Sequence, residues 1–179
     1  PTGAQTRTFD ETERDMTSGT RMHRLLTGDV GSGKTLCAQY AAYIAVCGGT
    51  QAAIMAPTEI LARQHYESFY LMFSQMGYHV ELLIGAMTAA QKRRVCENLQ
   101  FGITDIVIGT HSLIEDTVMF KNLGLVIIDE QHRFGTGQRA KLYGKSKDCH
   151  MLSMSATPIP RTLAFVLYGD YDLSTLDEM

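Results

Sequence analysis

What this sequence lacks narrows its reading first. No apolar run reaches the ~18 residues needed to span a bilayer, so a membrane-spanning helix is not expected. Neither Pro1-Thr2-Gly3-Ala4-Gln5 nor any later stretch has the form of a secretory leader. The four cysteines, Cys37, Cys47, Cys96 and Cys149, are scattered without a paired metal-ligand spacing. They read as reduced and mostly buried, in a cytoplasmic setting. Charge of one sign is also scarce: the net charge is −3, which argues against coating nucleic acid by bulk electrostatics but leaves a local groove open. There is no internal repeat and no low-complexity segment.

What is present suits one globular domain. The 179 residues are 45% hydrophobic and 20% charged, enough to bury a sizeable core. A polar helix is expected over Thr8–Ser18, closed by Gly19. Met22–Leu26 reads as a short strand and Leu36–Val46 as a helix rich in Ala, Tyr and Ile. A turn at Cys47-Gly48-Gly49-Thr50 precedes a buried strand, Ala52–Ala56, stopped by Pro57. Thr58 can cap a helix running to about Met76, with Glu59, Arg63 and Glu67 outward and Ile60, Leu61, Phe69 and Phe73 inward; Gly77 ends it. Further strands are expected at His79–Ile84, Thr104–Ile108, Leu125–Ile128, Cys149–Met154 and Tyr171–Leu173, with helices at Thr88–Leu99 and Pro160–Leu167. Strands alternating with helices imply an α/β, doubly wound, mostly parallel sheet covered on both faces. Ligands of such sheets gather at the carboxyl ends of strands. That expectation aligns Gly28, Pro57, Gly85, Gly109, Asp129 and Ser155 along one edge.

The chain is organised around Gly28-Asp29-Val30-Gly31-Ser32-Gly33-Lys34-Thr35, which fits Gly, four residues, Gly-Lys-Ser/Thr. Three glycines in six residues let the backbone turn tightly and approach an anion with no Cβ in the way. Successive N–H groups can then form a nest at the positive end of the following helix. Lys34 supplies a charge for the β- and γ-phosphates of a nucleoside triphosphate, and the Thr35 hydroxyl a ligand for Mg2+. Four fixed positions match by chance on the order of once in a hundred chains of this kind.

Asp129-Glu130-Gln131-His132 is the second signal. An acidic residue closing an aliphatic strand can hold Mg2+ opposite the phosphate loop, in part through water, and Glu130 can orient and deprotonate the attacking water. Ser155-Ala156-Thr157-Pro158 follows the next strand. Its hydroxyls can reach His132 and sense the γ-phosphate, although the tetrapeptide alone is only a loop.

Gly28–Thr35, Ala56-Pro57-Thr58-Glu59-Ile60-Leu61-Ala62, Gly109-Thr110-His111, Asp129-Glu130-Gln131-His132-Arg133-Phe134-Gly135 and Ser155-Ala156-Thr157-Pro158-Ile159-Pro160-Arg161-Thr162 stand in order. Together they resemble motifs I, Ia, Ib, II and III of superfamily 2 helicases, over nearly the whole chain from about Gln5 to Met179. The phosphate loop and acidic motif are most similar to bacterial helicases that remodel branched DNA. Transcription-repair coupling factor is the near relative, but resembles Asp-Glu-Glu-Gln at the acidic motif, so Gln131-His132 favours the former.

The resemblance implies a RecA-like motor domain spanning residues 1–179, with 1–20 a lead-in carrying a glutamine, Gln5, that reads the adenine edge. It implies coupling roles for Gln131, His132, Arg133, Ser155 and Thr157. Thr58, Arg63, Gly85, Thr110 and His111 fall in segments that contact the nucleic-acid backbone, which carry position and little sequence information. It also implies double-stranded or branched DNA as partner, and a second motor domain and a wedge domain elsewhere in the same polypeptide. Ala86 stands where a serine is expected after Gly85, which weakens a side-chain phosphate contact there, and Thr136 replaces an aliphatic residue. Lys92-Arg93-Arg94 reads as a solvated helix face, and Tyr66, Phe69 and Tyr70 as helix packing. Two other classes compete: a small-molecule kinase on the same loop, for which no arginine-bearing lid is evident, and a binding module with a dead ATP site.

Overall fold

A computed structural model of the chain describes residues 2–19, 21–28, 33–129, 141–142, 144–145, 149–156 and 172–176. The described elements run α1 (Gly3–Thr17), β1 (His23–Gly28), α2 (Lys34–Cys47), β2 (Gln51–Met55), α3 (Glu59–Phe73), β3 (Val80–Leu83), α4 (Ala89–Gln100), β4 (Ile106–Gly109), β5 (Leu123–Asp129), β6 (His150–Ser155) and β7 (Asp172–Leu176). Single 3₁₀ turns follow α3 at Ser74–Met76 and β4 at His111–Ile114. The helix expected at Pro160–Leu167 lies outside the described residues.

The strands form one sheet in the order β3-β4-β2-β5-β6-β1-β7, and every pairing is parallel. Parallel strands need crossovers, and the helices that make them cover both faces. The alternation of side chains along each strand divides the core accordingly. Leu26, Ile54, Ile108, Leu125, Ile127, Leu152 and Met154 pack on one face with α2 and with Phe69 and Phe73 of α3. Ala53, Met55, Val107, Val126, Ile128 and Met151 pack on the other with Val95 and Leu99 of α4. Removing a Leu, Ile or Phe side chain of this kind from water contributes about 1.5–3 kcal/mol before the cost of ordering it.

The doubly wound architecture is as expected, with differences at the margins. Helix α1 begins five residues before Thr8 because Thr2 and Gln5 close a reciprocal cap. The Thr2 hydroxyl accepts from Gln5 N at 3.1 Å, and Gln5 Oε1 accepts from Thr2 N at 2.9 Å. The polar helix is then anchored by Arg24 of β1, which is 7% exposed. Its guanidinium donates to Asp15 at 2.8 Å, Glu11 at 2.7 Å and the Ser174 hydroxyl at 2.8 Å, tying α1, β1 and β7 together. Ile60, expected inward, is 71% exposed, because α3 turns its Ala62, Phe69 and Phe73 stripe to the sheet. Tyr70, expected to pack, is 49% exposed. Cys37 and Cys149 are buried and Cys96 half-buried, while Cys47 at the end of α2 is exposed. Burial pushes the Cys37 thiol up to about 12.

Candidate active site

Three strand ends stand side by side at the carboxyl edge. Register pairs Thr27 of β1 with Ser155 of β6, and Asp129 of β5 with Met154. Gly28, Ser155 and Asp129 therefore close neighbouring strands in the order β1, β6, β5. With strands ~4.8 Å apart, the first and last lie about 10 Å from each other.

Lys34 opens α2, and its ammonium donates to the Gly28 carbonyl at 2.7 Å, spanning the two described ends of the loop. The other described helices are each closed by a threonine: Thr2 on α1, Thr58 on α3 and Thr88 on α4. Helix α2 begins on Gly33 with no side-chain cap hydrogen bond, and its Leu36 N–H turns back to the Gly33 carbonyl at 3.1 Å. Gly33 has φ +87°, a left-handed conformation that favours glycine. A Cβ there would fall 1.8 Å from Gln5 Nε2. Gln5 is thus buried against the end of the phosphate loop, 8% exposed, even as its Oε1 serves the α1 cap. Thr35 follows in the first turn of α2, half-buried.

Asp129 is 5% exposed, and its Oδ2 accepts from His65 Nε2 on α3 at 2.7 Å. No other hydrogen bond is seen for this carboxylate among the described residues. A buried carboxylate at this edge is the hard oxygen donor that Mg2+ takes. No group of three or more His, Cys, Asp or Glu capable of enclosing a metal occurs among the described residues. His65 was not among the residues singled out from sequence. The available signal was its spacing: it lies three residues after Ala62 and four before Phe69, a polar residue on the buried stripe.

The remaining expected contacts gather past β2, β3 and β4, which are adjacent at the other end of the sheet. Thr58, Arg63, Gly85 and His111 are exposed, whereas Thr110 is buried at 7%. The Thr58 hydroxyl oxygen accepts from Leu61 N at 3.3 Å and keeps its own O–H to donate. Glu59 Oε1 accepts from Ala86 N at 3.1 Å, joining the start of α3 to the turn after β3. Gly109 admits no side chain, since a Cβ would fall 2.3 Å from the Leu83 carbonyl oxygen. Arg93 and Arg94 are exposed and Lys92 half-buried, as a solvated helix face would be. Asp29, Val30, Gly31, Ser32, Glu130, Gln131, His132, Arg133 and Thr157 lie outside the described residues.

Comparison with known proteins bears on the family and the fold. The family model described as DEAD/DEAH box helicase matches residues 2–166. The ATP-dependent DNA helicase RecG of Thermotoga maritima is 53% identical over 178 residues, covering 99% of this chain and 23% of the relative. RecG of Bacillus subtilis is 51% identical, with 99% and 26% covered. A solved structure of RecG bound to a three-way DNA junction superposes with a TM-score of 0.87 at 52% identity, over 99% of this chain and 24% of that one. The fold is shared more widely, as with the UvsW helicase of bacteriophage T4 at a TM-score of 0.71 and 16% identity. The chain thus spans about a quarter of the length of these RecG relatives.

Proposed function

We propose that this chain, which belongs to the DEAD/DEAH box helicase family and is a motor domain of the RecG type, forms half of an ATP-driven engine for remodelling branched DNA. The observation that carries the reading is the sheet edge itself. Ser155 and Asp129 end β6 and β5 on the edge where β1 leads to Lys34, and Thr58, Arg63, Gly85 and His111 are exposed beyond β2, β3 and β4, which supports the reading.

In this reading the N-terminus of α2 and the residues from Gly28 to Thr35 bind the triphosphate, and Gln5 beside Gly33 meets the adenine edge. Thr35 and Asp129 hold Mg2+, which when bound neutralises charge developing on the phosphates. Lys34 moves from the Gly28 carbonyl onto phosphate oxygen, exchanging a neutral acceptor for a charged one. Glu130 accepts the proton of the attacking water, and Gln131, His132, Arg133, Ser155 and Thr157 relay the state of the site. Exposed hydroxyl, guanidinium and imidazole groups beyond β2 and β4 hold the DNA backbone, which positions the strand without reading sequence. We assign the rest of the ATP site to a second motor domain, the junction contacts to a wedge domain of the same polypeptide, and the protein to the bacterial cytoplasm. Among the described residues no helix is long and apolar enough to cross a membrane. The coupling-factor and kinase alternatives are not favoured by relatives named as RecG helicases.

The test is three-way junction unwinding by the intact polypeptide. Glu130→Gln and Lys34→Ala are expected to reduce unwinding and DNA-stimulated ATP hydrolysis by at least 10²-fold, the usual scale for a lost acid–base or charge-stabilising group. Normal unwinding by Glu130→Gln would remove its catalytic assignment.

A further inference from the structure

His65 joins the two ends of the site edge. It stands on α3, whose N-terminus carries Thr58 and Arg63, and it reaches Asp129 at the end of β5. We propose that His65 is a positioning residue that transmits engagement of the DNA backbone at the start of α3 to the Asp129 carboxylate. This rests on the function proposed above.

The geometry supplies each part of such a relay. Thr58 and His65 are seven residues apart, about 10 Å along the helix axis. Ala62, Phe69 and Phe73, all fully buried, key the helix to the sheet, so α3 can shift only as a body. The His65 ring is held edge-on to Phe69, with centroids 6.5 Å apart and planes at 79°. Its side chain is 11% exposed and that of Asp129 6%, so water does not readily replace either partner. Because His65 is the described partner of Asp129, displacement of Nε2 reorients the carboxylate. The link needs only an N–H at that position, whichever charge the ring carries. Glu59, bound to Ala86 N, makes the turn after β3 move with the same helix end. A buried pair of this kind is weak evidence for stability alone. Partners that orient metal-holding groups, by contrast, commonly alter metal affinity 10–100-fold when lost.

The prediction concerns coupling, which is reciprocal between two binding sites. On the intact polypeptide in Mg2+, the affinity for a fluorescent non-hydrolysable ATP analogue is measured with and without a three-way DNA junction. The wild-type ratio is expected to be about fivefold or more. His65→Leu brings it to near one, and His65→Gln, which restores an N–H at similar reach, recovers most of it. A purely structural role would weaken both affinities alike, lower the melting temperature and leave the ratio unchanged. The inference is overturned if His65→Leu keeps the wild-type ratio or if the wild-type ratio is one. Lys34→Ala separates the two levels: unimpaired analogue binding by that variant would overturn the nucleotide site and the relay together. Loss of its binding with an unchanged His65→Leu ratio would overturn the relay alone.

Discussion

Substituting Gly33 by alanine tests the joint between α1 and the phosphate loop. Two separate penalties follow from the geometry. At φ +87° an alanine bears the left-handed strain, about 1–2 kcal/mol. Its Cβ would stand 1.8 Å from Gln5 Nε2 and 3.0 Å from Gln5 Cδ, so the glutamine must leave. Leaving breaks the bond from Thr2 N to Gln5 Oε1, worth about 1 kcal/mol. The total is about 2–3 kcal/mol, a fall in melting temperature of about 5–10 °C for a domain of this size. Thermal unfolding followed by circular dichroism measures it, and a double-mutant cycle assigns it. In a Gln5→Ala background the clash has no second partner, so Gly33→Ala should cost only the backbone strain, with a coupling of about 1 kcal/mol. Costs that simply add, within about 0.5 kcal/mol, would refute the steric argument.

Other positions give independent checks. Arg24→Ala strands Glu11, Asp15 and Ser174 at the α1–β1–β7 junction. Both carboxylates keep some solvent, so the loss is expected at the low end of the range for broken buried pairs, about 3 kcal/mol in a urea melt. A loss under 1 kcal/mol would mean that α1 is held elsewhere. His150 is held below its usual value of 6.5, chiefly by burial, with Arg21 and His23 adding to the effect and Asp15 opposing it, and its Nδ1 accepts from Met22 N at 2.9 Å. The unfolded chain therefore takes up a proton that the folded one resists, and stability should decline as pH falls below about 6.5. His150→Asn, which keeps an acceptor and does not titrate, should flatten the dependence of melting temperature on pH; an unchanged slope would exclude His150 as its source. Ser153 Oγ is buried without a hydrogen-bond partner among the described residues. Ser153→Ala should be neutral or stabilising by up to about 1 kcal/mol, and a clear destabilisation in the same melts would contradict its orphaned state.

Much of this layout was legible in the residues because the strands are nearly continuous aliphatic runs. Leu-Val-Ile-Ile before Asp129 can bury both of its faces only inside a parallel sheet, and that alone placed the acid at the carboxyl edge. Elements that depend on tertiary partners were harder. Strand β7 runs from Asp172 to Leu176, well past Leu173, because β1 offers it a pairing edge. The start of α1 lies ahead of the expected Thr8 because Thr-x-x-Gln at Thr2–Gln5 is a capping signal in residues otherwise read as a lead-in to the phosphate loop. His65 was missed for a related reason. A polar residue on an apolar stripe announces that it is buried, but its partner is on a strand 64 residues away.

The start of α2 on Gly33, without a side-chain cap, has a consequence for the domain as a material. A fold that caps its other described helices with its own threonines but starts this one on a left-handed glycine gives up a side-chain cap where an anion can serve instead. Nucleotide is then as much a structural part as a fuel. At a hundred times its dissociation constant it would add about 2.7 kcal/mol to the folded state. Each cycle of binding and release would stiffen and soften the same helix, and rigidity itself would rise and fall with turnover.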